Sequence, residues 1–182
     1  MSLQAGTYRL GPDNAILAVR TERAGAAAKA GHDLVIHVTA WEAVLQVAED
    51  PSGTSMELTA DAESLRVIEG TGGIQALGED DMANIHQTID DEVLKRQDIS
   101  FRSTSVEADG ETLRTRGELT IVGNTQPVEL DLAGGGDGEL SGSAVATQTA
   151  FGMKPYSALF GALKVKDEVR VTLEGHIEPQ SR

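Results

Sequence analysis

At 182 residues, with 29 Asp and Glu against 15 Lys and Arg, the chain carries a formal net charge of −14 and contains no cysteine. That negative excess repels phosphate backbones and argues against a nucleic-acid partner. The missing cysteines exclude disulfides, thiolate nucleophiles and Cys-ligated metal or iron–sulfur sites, so the fold must rest on packing.

In chain order, period-two alternation predicts strands over 7–10, 15–21 and 34–47, the last long enough to bend or to make two. Residues 24–30 are Ala-rich with glycines nearby and read as a short helix or a loop. Met56, Leu58, Ala60 and Ala62 then alternate with Glu57, Thr59, Asp61 and Glu63. The spacing of Met82, Ile85, Ile89 and Val93 predicts a helix over 79–95, with Glu79-Asp80-Asp81 in its first turn and Lys95-Arg96 at its end, both favourable to the helix dipole. A weaker strand signal covers 99–106.

Over 113–122, Leu113, Gly117, Leu119 and Ile121 alternate with Arg114, Arg116, Glu118 and Thr120. Val128, Leu130 and Leu132 alternate in turn with Glu129 and Asp131, and Gly123-Asn124-Thr125-Gln126-Pro127 between them reads as a hairpin turn with a proline opening the next strand. After a glycine turn at Gly134-Gly135-Gly136-Asp137-Gly138, a weaker strand runs over 140–150 and a strong one over 169–177. About eight strands with one polar face suit antiparallel closure, which also removes sheet edges. The expected class is all-β with one or two short helices, in a single domain over 1–182 with its core over about 6–178.

The chemistry-bearing residues do not form a catalytic pattern. His32, His37, His86 and His176 are scattered, with no HxxxH or HExxH spacing. Gly31-His32-Asp33 reads first as a turn before a strand, and as an acid–base or metal site only if a second His converges on it. No GxSxG elbow, P-loop, Rossmann fingerprint or EF-hand spacing occurs, so no enzyme activity and no cofactor or metal is expected. No integral membrane segment is expected, because no run reaches roughly 18 apolar residues. Met1-Ser2-Leu3-Gln4-Ala5-Gly6 lacks a basic region followed by an apolar stretch, which reads as cytoplasmic, or as periplasmic or secreted where a signal peptide has been replaced.

What remains is space. Ala60, Ala62, Gly117, Gly142, Ala144, Ala146 and Gly175 are small residues on the apolar face, and aromatics make up only 3% of the chain. Such an interior either holds one ligand or is plugged by the helix over 79–95 or by the segment after Ala150. Residues 151–163 concentrate two of three Phe and one of two Tyr outside regular alternation, as a lid, a mouth or a barrel cap.

The order of segments resembles the YceI-like family of lipocalin-like barrels. The opening Gly6-Thr7-Tyr8-Arg9-Leu10 through Asn14-Ala15-Ile16 is similar to the family's start, and Ile99-Ser100-Phe101-Arg102-Ser103-Thr104 to a later strand. The most specific match is Gly117-Glu118-Leu119-Thr120-Ile121-Val122-Gly123-Asn124-Thr125-Gln126-Pro127-Val128-Glu129-Leu130, which resembles the family's hairpin signature. Phe151-Gly152-Met153 and Val165-Lys166-Asp167-Glu168-Val169 resemble its closing part. The resemblance implies an antiparallel eight-stranded lipocalin-like β-barrel that takes the tail of a polyisoprenoid or fatty-acyl amphiphile, often as a homodimer, and it carries no catalytic residues. The expected lining or mouth is Leu34, Ile36, Val38, Met56, Leu58, Phe101, Leu119, Ile121, Leu130, Phe151, Met153 and Phe160, with Val35, His37, Thr39 and Trp41 as the opposing set on the bent strand. A ligand-free plugged barrel acting as a dimeric interaction or stress-associated protein is the alternative.

Overall fold

Alternating sequence becomes strand in the computed structural model, which describes residues 3–135 and 137–178; Met1, Ser2 and Gly136 of the expected glycine turn lie outside them. The early strands are β1 (Gly6–Leu10), β2 (Ala15–Thr21), β3 (Arg23–Ala24), β4 (His32–Val38), β5 (Trp41–Val47), β6 (Ser55–Ala60) and β7 (Leu65–Gly72). Helix α1 (Glu79–Thr88) follows and continues as a wider π turn over Ile89–Val93. Then come β8 (Ile99–Asp109), β9 (Thr112–Ile121), β10 (Asn124–Gly134), β11 (Glu139–Thr147), β12 (Ser157–Ala158), β13 (Leu163–Val165) and β14 (Glu168–His176). Eleven of these strands form one curled antiparallel sheet in the order β1-β5-β6-β8-β9-β10-β11-β14-β2-β4-β7, and β12-β13-β3 form a second, small sheet.

Eleven strands stand where eight were expected, and the reason is steric. Tyr8 and Leu10 are buried on β1, but Ala15 and Leu17 on β2; Ile36 and Val38 on β4, but Trp41, Ala43 and Leu45 on β5; Met56 and Ala60 on β6, but Leu65 and Val67 on β7. Inward residues are even-numbered before each break and odd-numbered after it. A strand that ran through the corner unbroken would turn its apolar set to solvent. Residues 11–14, 39–40 and 61–64 absorb the slip, and backbone bonds from Thr39 N to Ser64 O (2.9 Å) and from Asp61 N to Ala40 O (3.0 Å) tie two of the corners together.

Because β1 pairs with β5, β2 and β7 with β4, and β5 with β6, the six short strands act as three bent ones. With β8, β9, β10, β11 and β14 they make eight strands around the curled sheet. The ladder itself stays open along β1 and β7. At β7 the free edge is covered by α1, where His86 Nε2 accepts a hydrogen bond from the Val67 backbone N–H at 3.0 Å. The missed β7 had a weak signal, since only Leu65 and Val67 alternate before Gly70 and Gly72.

The β9–β10 turn is tighter than the sequence suggested. Val122 (φ 50°) and Gly123 (φ 72°) make it alone, and Pro127 is the fourth residue of β10. A proline is tolerated there because β11 pairs with β10 only from Leu130 onward, leaving no ladder bond for it to break.

Two predictions follow from this packing. Burial first, and the Arg66 charge second, hold the His86 imidazole below its ordinary value of 6.5, with Asp90 opposing. The unfolded chain therefore takes up this proton at a higher pH than the folded one. Stability from this group is complete above about pH 6.5 and is lost as the pH falls toward the lowered folded value. Urea unfolding across that window should show the decline, and His86→Ala should flatten it while lowering stability by about 1 kcal/mol. Thr115 is 0% exposed and its hydroxyl has no hydrogen-bond partner, so Thr115→Val should raise the unfolding free energy measured in urea by about 1 kcal/mol.

Candidate functional site

The core divides into a filled half and a hollow half. Tyr8, Leu10, Trp41, Ala43, Leu45, Leu132 and Leu140 are buried within one hydrophobic cluster, and none of them reaches the interior cavity. Their registers, Tyr8 opposite Leu45, Leu10 opposite Ala43 and Gly134 opposite Leu140, collect them at one end of the barrel. Tyr8 secures this end by donating its phenol hydrogen to Gln4 O at 2.8 Å. Burial raises the Tyr8 pKa and keeps that donor protonated.

At the other end the inward side chains surround a cavity of about 900 Å³. Leu17 and Val19 of β2, Leu65 of β7, Ile99 of β8, Val128 of β10 and Val169, Val171 and Leu173 of β14 line it, together with Ile85 and Ile89 from the helical segment. That volume is near the upper end of single-ligand pockets. The wall is almost wholly aliphatic. Polar side chains gather toward the mouth: Thr21, Arg23, His32, Gln75, Asp81, Asn84, Thr88, Gln148, Tyr156 and Lys164. Gln148 donates to Lys166 O (3.0 Å), while the buried Thr21 hydroxyl has no protein partner and is available to a ligand.

Ten of the twelve residues expected at the lining or mouth stand on this wall: Leu34, Ile36, Val38, Met56, Leu58, Phe101, Leu119, Ile121, Leu130 and Met153. Phe151 does not. The 3₁₀ turn Gln148–Phe151 takes it out of strand alternation and seals it at 1% exposure against β10, where Asn124 Nδ2 donates to Phe151 O at 2.8 Å. Phe160 stands off the wall and at the mouth: left-handed backbone throws it fully into solvent, beside a groove that borders the cavity entrance. On the bent strand Leu34, Ile36 and Val38 face inward before the corner, and of the opposing set Trp41 alone is buried, after it. Leu17, Val19 and Ile85, which the expected lining did not include, carry the same alternation or helical spacing as the residues it did.

The small residues play two parts. Ala60, Ala144 and Ala146 line the cavity and leave it wide. Gly117 instead makes room for an aromatic ring, since a Cβ there would lie 2.5 Å from Phe101. Neither the helix nor the segment after Ala150 fills the hollow half.

His32 and Asp33 do not converge. His32 Nε2 meets Gln75 O at 2.7 Å, whereas Asp33 Oδ1 accepts from Arg23 N at 2.8 Å, and His86 is engaged with β7. Among the described residues no group of three or more His, Asp or Glu is placed to hold a metal ion.

The two halves should answer differently to added volume. Ala43→Phe in the filled end should cost about 1–3 kcal/mol or prevent folding, whereas Ala144→Phe in the hollow end should leave the urea midpoint nearly unchanged.

Comparison with known proteins places this barrel. The profile of the YceI-like domain matches residues 17–177. No curated protein sequence matches the chain. The crystal structure of BcnA from Burkholderia cenocepacia is similar, with a TM-score of 0.64 at 14% identity over 88% of this chain and 94% of that one. The Campylobacter jejuni YCEI protein superposes with a TM-score of 0.52 at 19% identity, covering 81% of this chain and 85% of that one. A domain match over residues 17–177, on an aliphatic cavity built from those same strands, establishes that the chain belongs to the YceI-like family.

Proposed function

We propose that this protein binds the apolar tail of an isoprenoid or other amphiphilic lipid in the hollow half of its barrel, as a carrier, store or sequestering protein rather than an enzyme. The observation that carries this reading is the cavity of about 900 Å³ with an aliphatic wall and polar groups only toward its mouth. An amphiphile matches that distribution, with its tail among Leu34, Ile36, Leu119 and Val171 and its head near Thr21, Gln148 and Tyr156. Each buried methylene contributes about 0.8 kcal/mol, so a tail with about ten of them supplies roughly 8 kcal/mol before the cost of immobilising it. No long-range attraction is needed for that.

Native mass spectrometry of protein purified without detergent, followed by organic extraction, tests the reading. The expected result is one solvent-extractable adduct of isoprenoid or acyl mass per chain, reduced at least tenfold in Ala144→Phe. A chain that stays at its apo mass after incubation with polyprenyl and acyl lipids would sink the proposal and favour the ligand-free interaction module.

A further inference from the structure

The segments that border the cavity mouth opposite α1 differ in charge from the rest of the chain. Residues 23–32 and 140–166 contain no Asp or Glu, although the protein has 29 acids, and they carry Arg23, Lys29, Lys154, Lys164 and Lys166. The small sheet joins them: Lys164 of β13 pairs with Ala24 of β3 and with Ser157 of β12, and Ala27 N donates to Ala162 O at 2.8 Å. Arg23 is held by Asp33 and Lys166 by Glu22. Among the described residues Lys29, Lys154 and Lys164 have no ion-pair partner. Glu79, Asp80, Asp81, Asp90, Asp91 and Glu92 lie on the helical segment, where Asp81 lines the cavity and Glu92 shares the groove with Lys154 and Phe160.

The tip of the β12–β13 hairpin is apolar and strained. Leu159 (φ 50°), Phe160 (φ 55°) and Gly161 (φ 86°) are left-handed in succession. For the two non-glycine residues that conformation costs about 1 kcal/mol or more each. What it achieves is exposure: Leu159 is 59% exposed and Phe160 113%, and Tyr156 nearby is 48% exposed. Phe160 and Lys154 line a groove of about 440 Å³ that shares Thr88, Val93 and Tyr156 with the main cavity. The tip therefore stands at the cavity's own entrance.

We propose that this lip docks on the surface of a bilayer bearing anionic headgroups, inserting Leu159 and Phe160 among the acyl chains while Lys29, Lys154 and Lys164 meet the headgroups. Large apolar side chains held out by strained backbone, with unpaired cations beside them, match the apolar core and negative surface of such a membrane. On a chain of net charge −14, this lip joins exposed large apolar side chains to lysines that have no ion-pair partner among the described residues. The inference rests on the lipid-binding reading and adds where the lipid is exchanged.

The test is co-sedimentation of the whole protein with vesicles of phosphatidylcholine alone and of phosphatidylcholine mixed with phosphatidylglycerol. Binding to the mixed vesicles only is expected, lost in Phe160→Asp and weakened about tenfold by each of Lys154→Glu and Lys164→Glu. In Phe160→Trp the new indole should shift its emission to the blue on the mixed vesicles, against a constant background from the buried Trp41. Equal binding to both vesicles, no binding to either, or undiminished binding of Phe160→Asp would overturn the proposal. So would a change confined to oligomeric state in Phe160→Asp, which would make the tip a contact between two copies. Loading of the cavity, read by mass on Phe160→Asp and Lys154→Glu, separates the two claims: an adduct retained without vesicle binding leaves the carrier reading intact.

Discussion

Every bend of this sheet has to keep the same apolar face inward, and the rest of the structure follows from how three corners meet that constraint. Side chains alternate strictly along a strand, so a smooth bend with the wrong parity would expose a whole set of leucines and valines. The chain breaks its strands instead, at 11–14, 39–40 and 61–64, and resumes on the other parity. On the β1 and β5 side of the corners the inward set includes the large aromatics Tyr8 and Trp41, which fill the barrel. On the β2, β4 and β7 side it is Leu17, Ile36, Val38 and Leu65, aliphatic chains that line the cavity without filling it. One covalent device thus produces both a packed end and a hollow end.

The outer face shows how the acidic excess is carried without loosening the wall. Arg102 pairs with Glu57, Arg114 with Asp109, and Arg116 with Glu129 and Glu107, all across neighbouring strands on the solvent side. Exposed pairs of this kind contribute little individually. Their orientation matters more, because long charged side chains on alternate positions oppose any slip that would bring them inward. Hydrogen bonds and neighbouring carboxylates raise the Arg116 pKa, consistent with a guanidinium held between two strands. Arg102, Arg114 and Arg116 are in this way matched to acids, which sets these three apart from the lysines of the lip.

Much of this was readable from alternation alone. The bounds of β2 coincide with the expected 15–21, β9 with 113–122 to within a residue, and the helix with 79–95 to within two residues once its π turn is included, because each has a strong periodic signal and clear end residues. The long 34–47 segment was recognised as able to make two strands, but its parity change was not, since Thr39 and Ala40 carry no turn signature. The three strands of the small sheet are two or three residues long and owe their form to tertiary packing, as where Leu163 lies over Gly31. Phe160 was named among residues of the lining or mouth, and only the left-handed run Leu159–Gly161 shows that it stands off the wall, at the mouth.

The hollow half survives because its wall is a hydrogen-bonded ladder and not a set of independently packed side chains. Paired strands such as β2, β4 and β14 hold Leu17, Val19, Ile36, Val169 and Val171 apart at backbone spacing, so the wall does not collapse inward to recover lost contacts. An apolar tail entering this space gains dispersion contacts and leaves water without requiring the ladder to move. On the proposed reading, ordering costs then fall mainly on the tail itself, because the wall is preformed and the helical segment is already packed on the core through Ile85, Ile89 and Val93.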